Sequence, residues 1–275
     1  MKKLDEKIDS VTSGVEEITP DLAAEMLANN PLNRSLRRQV VAAYARDMAE
    51  GRWRFTGSPI LFAEDGELLD GQHRLHAIVA SGVALDLVVM RGMPVAVRDV
   101  VDTGAVRTAG DVVKFHGEAN GPALSAAARL ILTEGNTITM KVTNAELIQL
   151  IEDDPHLRWV MNEGIKSIYG PLRELITPGV LGYVYWRLHR TDPFAAGEFF
   201  HRLATGEDLA AGSPILALRR QLGLIAGRAA TRGRVYRQQV IVAVITAWNA
   251  WRKGETRQTI RVAPRNGRLT IPEPV

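Results

Sequence analysis

The residues best suited to chemistry in this 275-residue chain stand in one run: Asp70, Gly71, Gln72, His73 and Arg74, inside the stretch EDGELLDGQHRLHAIVASG from Glu64 to Gly82. A strand that turns into a helix near Gln72 leaves the first backbone N–H groups of that helix unpaired and pointing outward. The helix dipole adds partial positive charge at the same end. Glycine at 71 lets the backbone turn sharply and lets a ligand come close. His73 and Arg74 add side-chain donors in the first turn. Together these features suit an anion, most simply a phosphate. Asp70 could cap the helix, hold a magnesium ion or accept a proton. His73 and His76, three apart, lack a clear third partner for a metal.

The elements that must carry this run are legible around it. Ile60, Leu61 and Phe62 read as a short strand, Asp65-Gly66 as a hairpin turn, and Leu68-Leu69 as the returning strand. The helix from Gln72 carries Leu75, Ile78 and Val79 on one face, and ALDLVVMRG reads as a further strand. Upstream, Thr19 and Pro20 start a helix. Val41, Tyr44 and Met48 form a helical stripe that ends near Gly51, and residues 1–17 read as a loose polar tail. Downstream, DTGAVRTAGDVVKFHG reads as a loop and then a helix between Thr108 and Gly117. Beyond residue 121 the patterns are helical, with a capping box at Thr143 and Glu146. Helical stretches follow at 155–168, 178–190, 193–205, 214–229 and 234–253. The fold class read from this is α+β: a small mixed-sheet domain over 18–120, an all-helical domain over 121–254 and a basic tail over 255–275.

Composition sets limits on function. Hydrophobic residues make up 46% and charged residues 24%, ordinary for a globular chain. No apolar run approaches the ~18–20 residues that span a bilayer, so no membrane partner is expected. The opening MKKLDEKIDSVTSG has no apolar core behind its lysines and does not read as a secretory signal. There is no cysteine, which excludes disulfides, thiolate nucleophiles and cysteine-held zinc and fits a cytoplasmic protein.

Charge is uneven. Residues 215–275 hold twelve basic residues and two acidic ones, net +10, which leaves −7 for the remainder of a chain whose total is +3. The segment reads either as a solvated face plus tail or as a nucleic-acid contact. For the second reading the candidates are Arg234, Arg237, Arg252, Lys253, Arg257, Arg261, Arg265 and Arg268.

The segment LLDGQHRLHAIVASG resembles the signature of the ParB/sulfiredoxin-fold superfamily, where a short strand runs into a turn and the next helix takes a nucleotide's phosphates. The spelling DGQHR is similar to the motif of the DGQHR family. NPLNR, YARDMAEGRWRF and VVDTGAVRTAGDVVKFHG are similar to segments of phage and prophage ParB-like proteins. The resemblance spans about residues 18–120. It implies a nucleoside triphosphate, ATP or CTP, with Mg²⁺, and action on or at DNA in a bacterial or phage-infected cell. Phosphoryl transfer or NTP hydrolysis linked to DNA modification or processing is the implied chemistry. Arg74 and the Gly71–His73 backbone would hold phosphates, with Asp102, Arg107 and Arg34 completing the pocket. Asp70 would position Mg²⁺ or activate a hydroxyl, and His73 would act as acid or base. A non-catalytic DNA-binding or regulatory module, or a metal-dependent nuclease using Asp70 with Asp102 and Asp111, are the alternatives. A homo-oligomer is compatible with either. The chain departs from sulfiredoxin in having no cysteine, and from the partition proteins in showing no evident helix-turn-helix after residue 120.

Overall fold

In the computed structural model, residues 11–28, 36–95, 97, 109–115, 120–135, 140–228, 233–264 and 269–275 are described. The chain forms two compact units. The first comprises Met1–Val106 with Met140–Glu146, and the second Arg107–Thr139 with Leu147–Val275. By contacts the chain divides between Val106 and Arg107, whereas the sequence reading places the division at 120. A short later segment also returns to the first unit.

The first unit is built on a four-stranded mixed sheet in the order β1-β4-β2-β3: β1 Thr12–Ile18, β2 Ile60–Ala63, β3 Leu68–Asp70 and β4 Leu85–Met93. β2 and β3 form the hairpin expected from Asp65-Gly66, and β2 runs parallel to β4. Three helices accompany the sheet: α1 Pro20–Ala28, α2 Arg38–Ala49 and α3 Gln72–Ser81. The two-residue alternation sorts side chains to opposite faces. Ile60, Phe62, Leu68, Leu87 and Val89 join Ala23, Met26, Met48, Leu75 and Ile78 in one core. Leu61, Ala63 and Leu69 pack on the other face with Met90, Met93 and Val97. Burial of β2 on both faces is why ILFA is a continuous apolar run and does not alternate.

The loose tail expected over 1–17 is a strand from Thr12 onward. β1 pairs antiparallel with β4 from Thr12↔Arg91 to Ile18↔Leu85, and Glu16 forms an ion pair with Arg91. Only Ile18 of this strand is buried. Its order comes from edge pairing of backbone groups, which leaves no hydrophobic period to read.

In the second unit the helices are α4 Ala109–Phe115, α5 Gly121–Leu132, α6 Asn144–Asp153, α7 Pro155–Trp159, α8 Lys166–Leu172, α9 Pro178–Thr191, α10 Pro193–Thr205, α11 Pro214–Arg228 and α12 Arg234–Arg252. The first three residues of α6 belong to the first unit. A π-helical turn at Val160–Gly164 joins α7 to α8. From Val240 to Ala250 almost every residue of α12 is buried, so it is a core helix and more than a one-sided stripe. The last residues are pinned to the helices. Trp248 Nε1 donates to the Val275 carbonyl at 2.8 Å, Asn249 exchanges bonds with Glu273 and Val275, and Arg187 pairs with Glu273 at 2.6 Å. No helix among the described residues is long and apolar enough to cross a membrane.

Candidate functional site

The DGQHR turn opens onto a cleft of about 670 Å³ that lies wholly within the first unit. Four stretches line it: Arg37, Val40, Tyr44 and Asp47 from the start and face of α2; Arg52, Trp53, Arg54, Thr56 and Ser58 from the segment after it; Asp70, Gly71, His73 and Arg74; and Lys141, Thr143, Asn144 and Ala145 from the returning segment. Three helices, α2, α3 and α6, therefore start at one cleft.

Local sequence explains the starts of α3 and α6, and a contact distant in sequence explains that of α2. Gly71 is the residue before α3 and has φ +110°, ψ −2°. A Cβ there would overlap Ile60 Cδ1 and lie 3.2 Å from its Cγ2, so the turn needs glycine for conformation and for space. At α6 the expected capping box is formed: Glu146 N donates to Thr143 Oγ1 at 3.1 Å, and Thr143 N donates to Glu146 Oε2 at 2.7 Å. At α2, the N–H of Arg37 donates to His73 Nε2 at 3.1 Å, which ties the start of α2 to the first turn of α3. Accepting that bond requires Nε2 to be unprotonated, so the neutral ring carries its proton on Nδ1.

Arg74 and Asp70 hold each other. Arg74 donates to the carbonyls of Ser58 and Pro59 and to Asp70 Oδ2 at 3.0 Å, with its side chain 13% exposed. This guanidinium braces the wall of the cleft as well as facing it. Arg74→Ala would leave two carbonyls and Asp70 short of a donor, so it is no clean probe of ligand binding. Asp47 is buried and accepts from Arg52 Nε at 3.0 Å and Thr143 Oγ1 at 3.1 Å. Glu146 accepts from Arg46 Nε at 2.9 Å. Burial alone would raise the Glu146 pKa, but Arg46, the Thr143 N–H and Arg52 outweigh it and hold the carboxyl below its ordinary value.

Among the described residues, five cations line the cleft, Arg37, Arg52, Arg54, Arg74 and Lys141, against two carboxylates, Asp47 and Asp70, a net of +3. Both carboxylates are already ion-paired, with Arg52 and Arg74. Among the described residues, Arg37, Arg54 and Lys141 meet no carboxylate. Aromatic surface adjoins them. Tyr44 and Trp53 pack edge to face at 5.3 Å, and Lys141 Nζ lies 6.0 Å from the Tyr44 ring. Trp53 Nε1 is shielded from solvent and has no hydrogen-bond partner among the described residues. Chemically, the cleft offers helix N-termini and cations for an anion, with an aromatic wall beside them.

The structure therefore brings Asp70, Gly71, His73 and Arg74 to the cleft, with Gln72 buried behind them. Asp102, Arg107 and Arg34 lie outside the described residues. Asp111 is exposed on α4 in the other unit. No cluster of three or more His, Asp or Glu that could hold a metal occurs among the described residues. A magnesium ion at Asp70 would depend on phosphate oxygens and water for the rest of its shell, ligands which that ion accepts.

The basic residues of the C-terminal part are dispersed. Arg234 and Arg237 begin α12, and Arg252 and Lys253 lie at its other end, about 27 Å away at 1.5 Å per residue. Arg252 pairs with Asp192 at 3.0 Å, and Arg257 pairs with Glu255. Arg234, Lys253 and Arg261 are exposed, and Arg265 and Arg268 lie outside the described residues.

Comparison with protein-family models, with curated proteins and with solved structures finds no match to this chain.

Proposed function

We propose that the cleft binds a nucleoside triphosphate, with ATP and CTP the first to test, and that the protein acts on or at DNA through phosphoryl transfer or NTP hydrolysis. The observation that carries this reading is the meeting of three helix starts and, among the described residues, a +3 cation balance at one aromatic-walled cleft. Phosphates suit the helix N-termini together with Arg37, Arg54 and Lys141. A base suits the aromatic surface of the Tyr44–Trp53 wall. The resemblance of residues 18–120 to the ParB/sulfiredoxin-fold superfamily supports the same choice. Asp70 would share Mg²⁺ with the phosphates, and positioning with charge neutralisation would carry the chemistry.

The test is thermal shift with ATP, CTP and GTP, with and without Mg²⁺, because ligands that bind only the folded state raise its melting temperature. One nucleotide should stabilise the protein saturably. Arg37→Ala with Lys141→Ala should weaken it at least about tenfold, since charge-assisted contacts are each worth roughly 1.5–3 kcal/mol when shielded and less when exposed. No stabilisation by any nucleotide, or unchanged affinity in the double variant, rejects the site.

A second reading, a non-catalytic nucleotide-sensing module, has its own observation: Asp70 and His73, the two candidate catalytic groups, already serve Arg74 and the Arg37 N–H. Turnover decides between the two. An enzyme consumes nucleotide and loses that activity in Asp70→Asn with binding retained, whereas a sensor binds without turnover.

The DNA half of the proposal predicts salt-sensitive affinity. If about three to five exposed cations reach phosphates, the log–log slope should lie between about −2 and −4.5. Neutralising Arg257, Arg261, Arg265 and Arg268 should flatten it without changing nucleotide binding. A flat response in the wild type would discard the nucleic-acid partner.

A further inference from the structure

A second cavity, of about 420 Å³, lies wholly within the helical unit, a size suited to a small organic molecule. Its walls are mostly apolar, from Pro122, Ala123 and Ala126 on α5 and Val180 on α9, and Arg237 of α12 lines it with them. Arg237 Nε is shielded from solvent and has no hydrogen-bond partner among the described residues. Such a donor costs stability unless an acceptor reaches it. Its place is fixed by the fold, because the neighbouring Tyr236 hydroxyl donates to the Leu175 carbonyl just before α9. Arg129, the other arginine at the cavity, already has a partner.

The surrounding backbone has the same polarity. The first turns of α5 and α9 line the cavity. Neither Asn120 nor Thr177, the residues before those helices, caps its helix with a side chain. In the same unit α7 and α10 are capped by Asp154 and Asp192. Gly179 sits in the first turn of α9 where a Cβ would lie 2.6 Å from Ala126 Cβ, so α5 and α9 approach closely at the cavity.

We propose that this cavity binds a small organic monoanion, a carboxylate whose oxygens meet Arg237 and the start of α9 and whose apolar body lies along Ala123, Ala126 and Val180. Among the described residues Arg237 meets no carboxylate, and a single guanidinium calls for a single negative charge. The apolar walls disfavour a polyanion, which separates this ligand from the one proposed for the cleft of the first unit. A planar carboxylate matches the guanidinium fork.

Octanoate is the probe, titrated by calorimetry and thermal shift against the full chain, with octanol, octylamine and inorganic phosphate as comparators. Octanoate should bind saturably, and the three comparators should bind at least about tenfold more weakly. Arg237→Gln should remain folded and weaken octanoate about tenfold or more, while Arg237→Lys should recover part of the loss. Ala123→Phe, which fills the cavity without touching the charge, should also weaken it. If the folded wild type does not bind octanoate, if octanol binds equally well, or if Arg237→Gln and Ala123→Phe bind like wild type, the proposal is overturned. Should Arg237→Gln not fold, Ala123→Phe and the octanol comparison decide the matter.

Discussion

Replacing Gly71 by alanine is expected to destabilise the protein by about 3 kcal/mol, against about 1 kcal/mol for Gly82→Ala at the other end of the same helix. Both glycines have positive φ, +110° and +71°, so both substitutions carry the left-handed penalty of roughly 1–2 kcal/mol. They differ in space. A Cβ at 82 meets nothing within 4 Å, whereas one at 71 runs into the side chain of Ile60, which is fully buried. Overpacking in a close-packed core adds roughly 1–3 kcal/mol. Ile60→Val removes the overlapping Cδ1 atom, so the double variant should be more stable than the two single losses predict, by about 1 kcal/mol. Urea melts of the four proteins measure this. Equal losses at 71 and 82, or strict additivity with Ile60→Val, would mean the turn tolerates a side chain and the backbone approach at the cleft is not built around glycine.

The parts of this fold that follow from short-range rules were legible in the chain. The Asp65-Gly66 turn, the strand runs on either side of it, the helix after Gly71 and the Thr143–Glu146 box are each set by residues within about four positions of one another. What escaped was set by distant partners. β1 has one buried residue and is ordered by pairing with β4, so its sequence carries no period. Half of the cleft comes from positions that no local pattern singles out. Arg37 reaches it because its N–H is bound by His73, and Lys141 because residues 140–146 return to α2 through Arg46, Asp47 and Glu146. Arg74 shows the converse. Its place in the first helical turn marks it for an anion, but the carbonyls of Ser58 and Pro59, sixteen and fifteen residues earlier, could be assigned to it only in three dimensions. The even spread of arginines over the last sixty residues likewise hid that Arg252 and Arg257 have acidic partners and that Arg237 faces a cavity.

Asp47→Ala should cost about 2–3 kcal/mol and should also weaken nucleotide binding, because the same carboxylate that stabilises the unit positions one wall of the cleft. Asp47 is 6% exposed and holds Arg52 and the Thr143 hydroxyl. Without it, Arg52, whose side chain is 15% exposed, keeps Glu50 and a longer contact to Glu146 at 3.7 Å, so the loss falls below the 3–5 kcal/mol of a fully buried pair. Thr143 loses its acceptor, and the chain from Lys141 to Ala145 loses one of its ties to α2. Asp47→Asn, which keeps an acceptor oxygen, should cost less. Acid probes the other carboxylate of the network. The folded-state pKa of Glu146 lies below its ordinary value, so its contribution is complete above the unfolded-state value of about 4.3 and declines as pH falls through the folded value. Stability of the wild type should therefore drop more steeply below about pH 4.3 than that of Glu146→Gln. Denaturant melts across that range, together with nucleotide titration of Asp47→Ala at neutral pH under conditions where it is fully folded, separate the two roles. If folded Asp47→Ala binds nucleotide as tightly as wild type, Asp47 stabilises the unit without shaping the cleft, and Lys141 does not depend on it for its position.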